Sequence, residues 1–326
     1  MSEVRVAVAV VRRGDQVLIA RRPLDRHQGG LLEFPGGKIE PGETVAEALV
    51  RELKEETGLM IDPATVKPLI TIRHDYGDKQ VALYVCECKS GKGEPVGREG
   101  QDIGWRQPRD LVPEEFPAAN RPILQAIQLP ETYLITGAVA QVEPLERACQ
   151  ILSSQSDIGG KLLLLRNPQL ASFDYQALLA QVVASEIVQS LGIRLMAHGR
   201  ASLDSPEMAS PRIVGVHLPW RDAKVLNERP VSRDKMLAVS CHDEFQLDHA
   251  AAIGADFVTL GPVQPTASHP GAAAMGLTRF EALCERAILP VYGLGGLALE
   301  DCTRIRQAGG QGVAAISAWW PNSFAG

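Results

Sequence analysis

The chain has 326 residues, of which 45% are hydrophobic and 22% are charged, and its formal net charge at pH 7 is −6. These values are ordinary for a globular protein of about two domains, and an acidic chain lacks the basic surface of a protein that binds duplex nucleic acid. No apolar run approaches the ~18 residues that a membrane span needs. We therefore expect neither a nucleic-acid duplex nor a membrane as a partner.

The cysteines and the N-terminus indicate a reducing compartment. The six cysteines are scattered, and Cys86-x-Cys88 has the spacing of one strand face rather than of a metal site. The N-terminal stretch MSEVRVAVAVVRRGDQ lacks the basic, apolar and small order of a secretory signal. We expect reduced thiols and a cytoplasmic protein.

The N-terminal part of the chain alternates between strand patterns and Gly/Pro loops. Residues 4–11 and 17–20 are rich in β-formers and are separated by RRGDQ, which predicts a hairpin. The loop PGGKIEPGE leads into a helix, VALYVCEC (81–88) predicts another strand, and RPILQAIQL (121–129) predicts a closing helix.

The helix after the Gly/Pro loop has clear signals at both ends. Thr44 and Glu47 form a Thr-x-x-Glu capping box, and Gly58 is a candidate for the residue after the last turn. These signals predict a helix from about Val45 to about Thr57.

The apolar stripe of this helix becomes acidic toward its C-terminal end. Glu52, Glu55 and Glu56 have the spacing i, i+3 and i+4, which places them on one helical face. An inward-facing carboxylate must be paired, hydrogen-bonded or bound to a metal, and Arg51 can neutralise only part of this set. A hard divalent cation can do so, which indicates Mg²⁺, with Mn²⁺ as an option. A solvated acidic helix end is the alternative interpretation.

The pattern changes near PETY (130–133), which we interpret as a short linker between a domain of residues 1–129 and a domain of residues 130–326. Beyond it, eight apolar runs alternate with helical segments. The runs are 132–137, 161–166, 194–199, 214–219, 237–242, 257–262, 288–295 and 312–317. Continuous apolar runs are typical of buried parallel strands, so the pattern predicts a compact (β/α)8 TIM barrel, with an open doubly wound sheet as the alternative.

The stretch GLGGLA (293–298) follows the seventh of these runs. It matches a dinucleotide-binding pattern only loosely. Its position favours a phosphate-binding turn after the seventh barrel strand, where Gly295 and Gly296 let backbone N–H groups approach an anion near a helix N-terminus.

The stretch from Gly37 to Leu59, GKIEPGETVAEALVRELKEETGL, resembles the Nudix signature. The flanking stretches LEFPGGKIE and EEFPAANRPI resemble the MutT branch, the 8-oxo-dGTP diphosphatases, and the likeness covers residues 4–129. The resemblance implies an α/β/α sandwich with a mixed sheet. It also implies Mg²⁺-dependent hydrolysis of a nucleoside triphosphate to a monophosphate and pyrophosphate.

The resemblance also implies roles for individual residues. The metal ligands are Glu52, Glu55, Glu56, Glu99 and the carbonyl of Gly36. Catalysis falls to Glu52 and Glu99, the two candidates for the base, together with Arg51 and Glu43. The nucleotide pocket contains Arg22, Phe34, Asp78 and Asn120. An asparagine suits a purine edge because it offers both donors and an acceptor. The alternatives are a loop cap for Asn120, plain core for Phe34 and a surface pair for Arg22.

The C-terminal half is similar to thiamine-phosphate synthase and its thiazole tautomerase relative. GVHLPWRD (215–222), AVSCHDEFQL (238–247), GADFVTLGPVQPTASHPG (254–271) and PVYGLGGL (290–297) carry the likeness. Two departures weaken a synthase interpretation. His198-Gly199 stands where the family has Asn-Asp, and Ser268-His269 replaces a basic residue.

The candidate residues of the barrel are Arg166, Asp222, His242, Gly295 and Gly296. Asp222 can serve as the remaining acid, and His242 as a proton shuttle or as a hydrogen-bonded structural residue. We expect a phosphate-bearing small molecule as the ligand. Two rivals remain: a bifunctional thiamine-pathway enzyme whose Nudix half hydrolyses thiamine or pyrimidine diphosphates, and a barrel that is a non-catalytic ligand sensor or scaffold.

Overall fold

The computed structural model describes residues 3–25, 28–75, 80–91, 93–155, 161–266 and 273–320. The chain divides into two compact units. The sandwich unit comprises residues 1–128 with 284–288, and the barrel unit comprises residues 129–283 with 289–326.

The sandwich unit is built on a mixed sheet of seven strands. The strands are β1 (Glu3–Arg13), β2 (Gln16–Arg21), β3 (Leu32–Glu33), β4 (Gly36–Lys38), β5 (Lys67–Asp75), β6 (Gln80–Lys89) and β7 (Asp102–Arg106), and the helices are α1 (Val45–Thr57) and α2 (Arg121–Gln128). The strand order is β3-β2-β1-β6-β5, with β4 paired to β1 and β7 to β2. Strands β1 and β6 are parallel, and the other pairs are antiparallel. The predicted β1–β2 hairpin is confirmed.

One helix covers each face of this sheet, because successive residues of β1 point to opposite sides. Ala7 and Ala9 belong to a buried cluster with Leu49 and Leu53 of α1. The second cluster joins the alternate β1 residues to α2, and it includes Val8, Val10, Ile123 and Leu124. The predicted α/β/α sandwich is confirmed.

Helix α1 begins and ends where its sequence signals predict. Glu47 N donates to Thr44 Oγ1 over 3.3 Å, and Thr44 N donates to Glu47 Oε2 over 2.8 Å, which completes the capping box. Gly58 lies in the left-handed region with φ 73° and donates its N–H to Lys54 O. The stop at Gly58 leaves the acidic last turns of α1 facing strand β4.

The barrel unit is a closed ring of eight parallel strands. They are β8 (Thr132–Ile135), β9 (Leu162–Leu164), β10 (Arg194–His198), β11 (Ile213–Leu218), β12 (Met236–Cys241), β13 (Phe257–Leu260), β14 (Val291–Leu294) and β15 (Gly312–Ala315). The helices are α3 (Val142–Gln155), α4 (Ser172–Ala184), α5 (Glu186–Ser190), α6 (Trp220–Ala223), α7 (Glu244–Ala252), α8 (Gly276–Arg286) and α9 (Cys302–Gln307). All eight predicted strands form, and the barrel rather than the open sheet is correct.

Large aromatic side chains fill the barrel interior, and one of them lies where the predicted linker and the first predicted strand overlap. Tyr133, Phe257 and Tyr292 are fully buried and contact one another with ring centroids 5.3 to 5.7 Å apart. Thr132 and Tyr133, which the predicted linker shares with the first predicted run (132–137), thus belong to the strand. Strand β8 begins at Thr132, because it must pair with β15 to close the barrel.

The cysteines agree with the prediction of reduced thiols. All six are free, and five of them are buried. Cys86 and Cys88 lie in the same buried cluster, as expected for one face of β6. Among the described residues, no helix has the length and apolarity that crossing a membrane requires.

Candidate active site and barrel cavity

The acidic face of α1 packs directly against the glycines of strand β4. Gly36 N donates to Glu56 Oε2 over 3.0 Å. A Cβ atom on Gly37 would lie 2.3 Å from Glu52 Cδ, so only glycine leaves room for this carboxylate. At Gly36, where φ is 148°, a Cβ atom would lie 2.1 Å from the backbone oxygen of Ala7. Gly36 is thus required by the neighbouring backbone, and Gly37 by the position of the Glu52 carboxylate.

The environment of Glu56 opposes its negative charge. The pKa of Glu56 is raised to about 7, mainly by burial. The hydrogen bond from Gly36 opposes this rise, and the neighbouring carboxylates Glu52, Glu33 and Glu99 contribute to it. Four carboxylates are therefore close enough to repel one another around Glu56. Such a set calls for a cation.

Arg51 holds the other end of the acidic face. Its Nε and Nη2 donate to Glu43 over 2.7 and 2.9 Å, and its Nη1 donates to Glu52 Oε1 over 2.8 Å. The hydrogen bonds to Arg51 lower the pKa of Glu43 to about 2. Arg51 Nη2 also donates to the Lys38 carbonyl over 3.0 Å, which links the guanidinium to the end of β4. The predicted catalytic residues Arg51, Glu43 and Glu52 are thus brought together, with the Glu52 carboxylate oriented by Arg51.

The remaining predicted metal ligands lie farther out. The Glu55 side chain is 58% exposed and contacts Arg51 at 3.4 Å. Glu99 is exposed in a loop, and its charge reaches Glu56 and Glu33. In the described part of the chain, no three His, Cys, Asp or Glu side chains stand in an arrangement that could hold a metal ion. The donor set nevertheless fits a hard cation in its chemistry, because every donor is an oxygen and the carboxylates around Glu56 are undercompensated.

Glu33 is a member of this site that the sequence analysis missed. Its carboxylate is 2.6 Å from Arg22 Nη1. Burial raises the pKa of Glu33, Arg22 lowers it, and Glu99 raises it. The signal that could have revealed it is a lone acid immediately before Phe34, in a short strand that leads to the glycines.

The predicted nucleotide-pocket residues lie in different environments. The Asn120 side chain is half-buried at the end of a 3₁₀ turn (Ala118–Asn120), and its amide has no hydrogen-bond partner among the described residues. Arg22 pairs with Glu33. Phe34 is 5% exposed and stacks on Phe116 at 5.7 Å, so its ring is part of the core. Asp78 lies outside the described residues.

The barrel unit contains a cavity of about 630 Å³ at the C-terminal ends of its strands. The residues that line it include Arg166, His198, His217, Trp220, Arg221, Ser240, His242, Thr259 and Gly295. Of the predicted barrel candidates, Arg166, His242 and Gly295 line this cavity. The lining also includes three residues that were not predicted from the sequence, namely His217, Arg221 and Ser240.

Two guanidinium groups give the cavity its charge. Burial lowers the pKa of Arg166, and the charge of Arg221 lowers it further. The Arg166 side chain makes no hydrogen bond or ion pair with the described residues. No aspartate or glutamate is among the described residues that line the cavity. The cavity therefore favours an anion.

His242 has a defined tautomer. Its Nδ1 lies 2.5 Å from the carbonyl oxygen of Gly261, which can only accept, so Nδ1 carries the proton and donates. In the neutral ring Nε2 then carries the lone pair. The ring can accept a proton in the cavity, which keeps the predicted shuttle role open.

Three expectations for the barrel do not match the structure. Asp222 is not among the lining residues, because its Oδ2 accepts from Arg200 N over 3.0 Å and its Oδ1 lies 3.5 Å from Arg221 Nε. Gly296 is not among the lining residues, and a Cβ atom there would lie 2.6 Å from Pro265 O. The start of the segment after β14 is already capped, because Asp301 Oδ2 accepts from Ala298 N over 2.8 Å. An aspartate at that position disfavours a bound anion.

Known protein families match the two units of the chain separately. The NUDIX domain family matches residues 6–126, and the thiamine monophosphate synthase family matches residues 132–319, which is more than half of the chain. An Escherichia coli K12 8-oxo-dGTP diphosphatase is 36% identical over 129 residues, which cover 39% of this chain and 98% of that protein. The chain belongs to both families.

Two further relatives refine this picture. An Escherichia coli K12 CTP pyrophosphohydrolase is 32% identical to the sandwich unit over 127 residues, covering 39% of this chain and 92% of that protein. A Bacillus velezensis thiamine-phosphate synthase is 37% identical over 106 residues, covering 32% of this chain and 47% of that protein. The chain thus spans nearly the whole of its Nudix relatives, but the aligned stretch spans only about half of this synthase.

Proposed function

We propose that the sandwich unit hydrolyses 8-oxo-dGTP to 8-oxo-dGMP and pyrophosphate with Mg²⁺, Mn²⁺ being an alternative ion, and so clears the nucleotide pool of an oxidised precursor. Its family membership makes the chain a hydrolase that acts on phosphoric anhydrides, while the substrate and the ion are the proposal. The observation that carries it is the packing of Glu52 and Glu56 against Gly36 and Gly37, with Glu33 and Glu99 beside them. The six free thiols support a reducing, cytoplasmic setting.

Glu52, Glu55, Glu56 and Glu99, with the Gly36 carbonyl, would hold the metal. When bound, the ion neutralises charge on the triphosphate and acidifies a water molecule. Arg51 keeps the Glu52 carboxylate in place through its bonds to Glu43 and Lys38 O. The pKa of Glu56 is raised, and binding of a cation would favour loss of its proton. Glu52 and Glu99 remain the two candidates for the base.

Asn120 is the residue that we propose reads the base. Its half-buried amide is unengaged by the described residues, so both its donors and its acceptor are available to a purine edge. Arg22 is held by Glu33, whose charge acts on Glu56 in the acidic site.

A substrate panel tests this proposal. The full chain with Mg²⁺ is given 8-oxo-dGTP, dGTP, CTP or thiamine diphosphate at equal concentration, and kcat/KM is measured for each. CTP is included because one relative is a CTP pyrophosphohydrolase. We expect 8-oxo-dGTP to be preferred. A preference for CTP contradicts the purine assignment, and a preference for thiamine diphosphate supports the bifunctional thiamine-pathway alternative.

We propose that the chain consists of a hydrolase domain of residues 1–129 and a barrel domain of residues 130–326. For the barrel, we propose less than the synthase activity that its family name describes. We propose that it retains a site for a phosphate-bearing small molecule but does not make thiamine phosphate at a useful rate. Arg166, which lies beside Arg221 and pairs with none of the described residues, supports an anion site. The loss of synthesis is supported by His198-Gly199 in the place of a metal-binding acid and by the engagement of Asp222 with Arg200.

The barrel proposal is tested by supplying the pyrimidine diphosphate and the thiazole phosphate with Mg²⁺ to the full chain. We expect no thiamine phosphate, and thermal protection by inorganic phosphate. Such a result favours a ligand sensor or scaffold, whereas robust synthesis supports a bifunctional enzyme and overturns the proposal.

A further inference from the structure

A chain of hydrogen bonds crosses the barrel interior from β8 to β13. Tyr133 Oη lies 3.1 Å from His217 Nδ1, and His217 Nε2 lies 2.7 Å from Ser240 Oγ. Thr259 Oγ1 donates to Ser240 Oγ over a longer distance of 3.4 Å. His217, Ser240 and Thr259 line the cavity, whereas Tyr133 is fully buried beneath it.

The direction of the first hydrogen bond follows from the burial of Tyr133. The bond to His217 is the one hydrogen bond that its hydroxyl makes within the described part of the chain. If this hydroxyl accepted from the imidazole, its own hydrogen would be buried without an acceptor, which is costly. Burial also raises the pKa of Tyr133, so the phenol keeps its proton. Tyr133 therefore donates to His217 Nδ1.

This donation fixes the tautomer of His217. Burial lowers the pKa of His217 to about 3, and the charges of His198 and Arg166 contribute, so the ring is neutral near pH 7. A neutral imidazole that accepts at Nδ1 carries its single proton on Nε2. That Nε2–H group must donate to Ser240 Oγ.

Ser240 has one hydrogen-bonding group left, which is its own hydroxyl hydrogen. Its oxygen accepts from His217 and from Thr259, which uses both lone pairs. Its own hydrogen is then free to point into the cavity, toward the space that Arg166 and Arg221 also face. We propose that Tyr133 and His217 are positioning residues that fix Ser240 as a hydrogen-bond donor to an anionic oxygen of the barrel's ligand. This inference rests on the proposed function only in taking that ligand to be an anion.

The tautomer of His217 can be measured without any ligand. The full chain is labelled with ¹⁵N-histidine, and the His217 resonances are assigned by their loss in His217→Gln. We expect a bare, hydrogen-bonded Nδ1 and a protonated Nε2. In Tyr133→Phe the Nδ1 resonance should shift as its donor is lost. Tyr292→Phe is the matched control, because it removes an equally buried hydroxyl that donates to Pro130 O instead.

The effect on binding is measured by titrating inorganic phosphate into the same proteins with EDTA present. Loss of a hydrogen bond to a charged group corresponds to about tenfold weaker binding. We expect this loss in Ser240→Ala and a similar loss in Tyr133→Phe, with Tyr292→Phe unchanged. In the double variant the two losses should not multiply, because Tyr133 acts through Ser240.

The outcomes separate the inference from the proposed function. An Nδ1–H tautomer in the wild-type protein, or multiplicative losses in the double variant, overturns the positioning role. Failure of the wild-type protein to bind phosphate, with the expected tautomer intact, contradicts the anionic ligand but supports the orientation of Ser240.

Discussion

Gly36 and Gly37 are adjacent in the sandwich unit, but a side chain at each position would meet a different kind of neighbour. A Cβ atom on Gly36 would meet backbone, the carbonyl of Ala7, while φ is 148°. A Cβ atom on Gly37 would meet the end of a flexible side chain, the Glu52 carboxylate. Displacing the backbone costs more free energy than rotating a side-chain carboxylate.

We therefore predict opposite results for two matched substitutions. Gly37→Ala should displace Glu52 and lower kcat by at least about tenfold, because catalytic groups must be held closely in place, with little change in melting temperature. Gly36→Ala should instead lower the free energy of unfolding by about 1–3 kcal/mol. Thermal unfolding and hydrolysis assays on both variants check this, and equal melting temperatures for the two variants would contradict it.

Asn120 carries a second prediction at the same scale. Asn120→Ala should reduce kcat/KM for 8-oxo-dGTP more than for dGTP, narrowing the preference by about 1–3 kcal/mol, the cost of a buried polar group left unsatisfied. The measurement is the ratio of the two kcat/KM values in variant and wild type. If both substrates lose equally, Asn120 is a structural residue.

At the scale of elements, the strand ends of the barrel hold histidines that resist protonation. The pKa of His198 is lowered to about 4, mainly by burial and also by the charges of Arg166 and Arg221, against the charge of Asp222. In the unfolded chain this imidazole has a pKa of about 6.5. Between these two values the unfolded state binds more protons than the folded state. Stability is therefore fully present above the unfolded pKa and is lost as the pH falls toward 4.

Replacing His198 should flatten this dependence. In His198→Asn, the free energy of unfolding should fall less steeply between pH 6.5 and 4.5, by up to about 1.4 kcal/mol per pH unit, which is the contribution of one proton. Denaturant titrations at several pH values, run beside the wild-type protein, give the difference directly. Parallel curves for the two proteins would show that His198 titrates alike in both states.

Helix α1 and the barrel strands show which elements a sequence predicts well. The helix limits followed from Thr44, Glu47 and Gly58, because capping is a local interaction between neighbours in the chain. The eight strands followed from continuous apolar runs, because parallel strands are buried on both sides. Tyr133 lay both in the predicted linker and in the first predicted run, and barrel closure places it in the strand.

The site residues that escaped prediction depend on tertiary contacts. Glu33 lies in a strand of two residues that has no periodicity to detect, and its proximity to Glu56 arises only when the sheet forms. The engagement of Asp222 with the Arg200 backbone, and the link from Tyr133 to Ser240, join segments far apart in the chain. Sequence spacing carries no signal for such pairs.

At the scale of the whole molecule, the chain joins units of two families, and the candidate sites of the two units differ in the sign of their charge. The sandwich unit gathers carboxylates and calls for a cation, whereas the cavity of the barrel unit presents guanidinium groups and favours an anion. Under our proposal a phosphate-bearing molecule suits both sites, and it would be bound through a metal ion in the first and directly in the second. Chelation should therefore abolish hydrolysis and leave phosphate binding to the barrel intact.

The most direct test of the account is Mg²⁺-dependent release of pyrophosphate from 8-oxo-dGTP by Glu52→Gln. The substitution keeps the side chain's shape and removes one of several mutually repelling charges, so the fold should be retained. Glu94→Gln is the control, because Glu94 pairs with Arg13 at an exposed position. We predict that Glu52→Gln lowers turnover at least ~100-fold, with Glu94→Gln unchanged. Near-wild-type hydrolysis by Glu52→Gln would contradict the assignment of the acidic face as the active site.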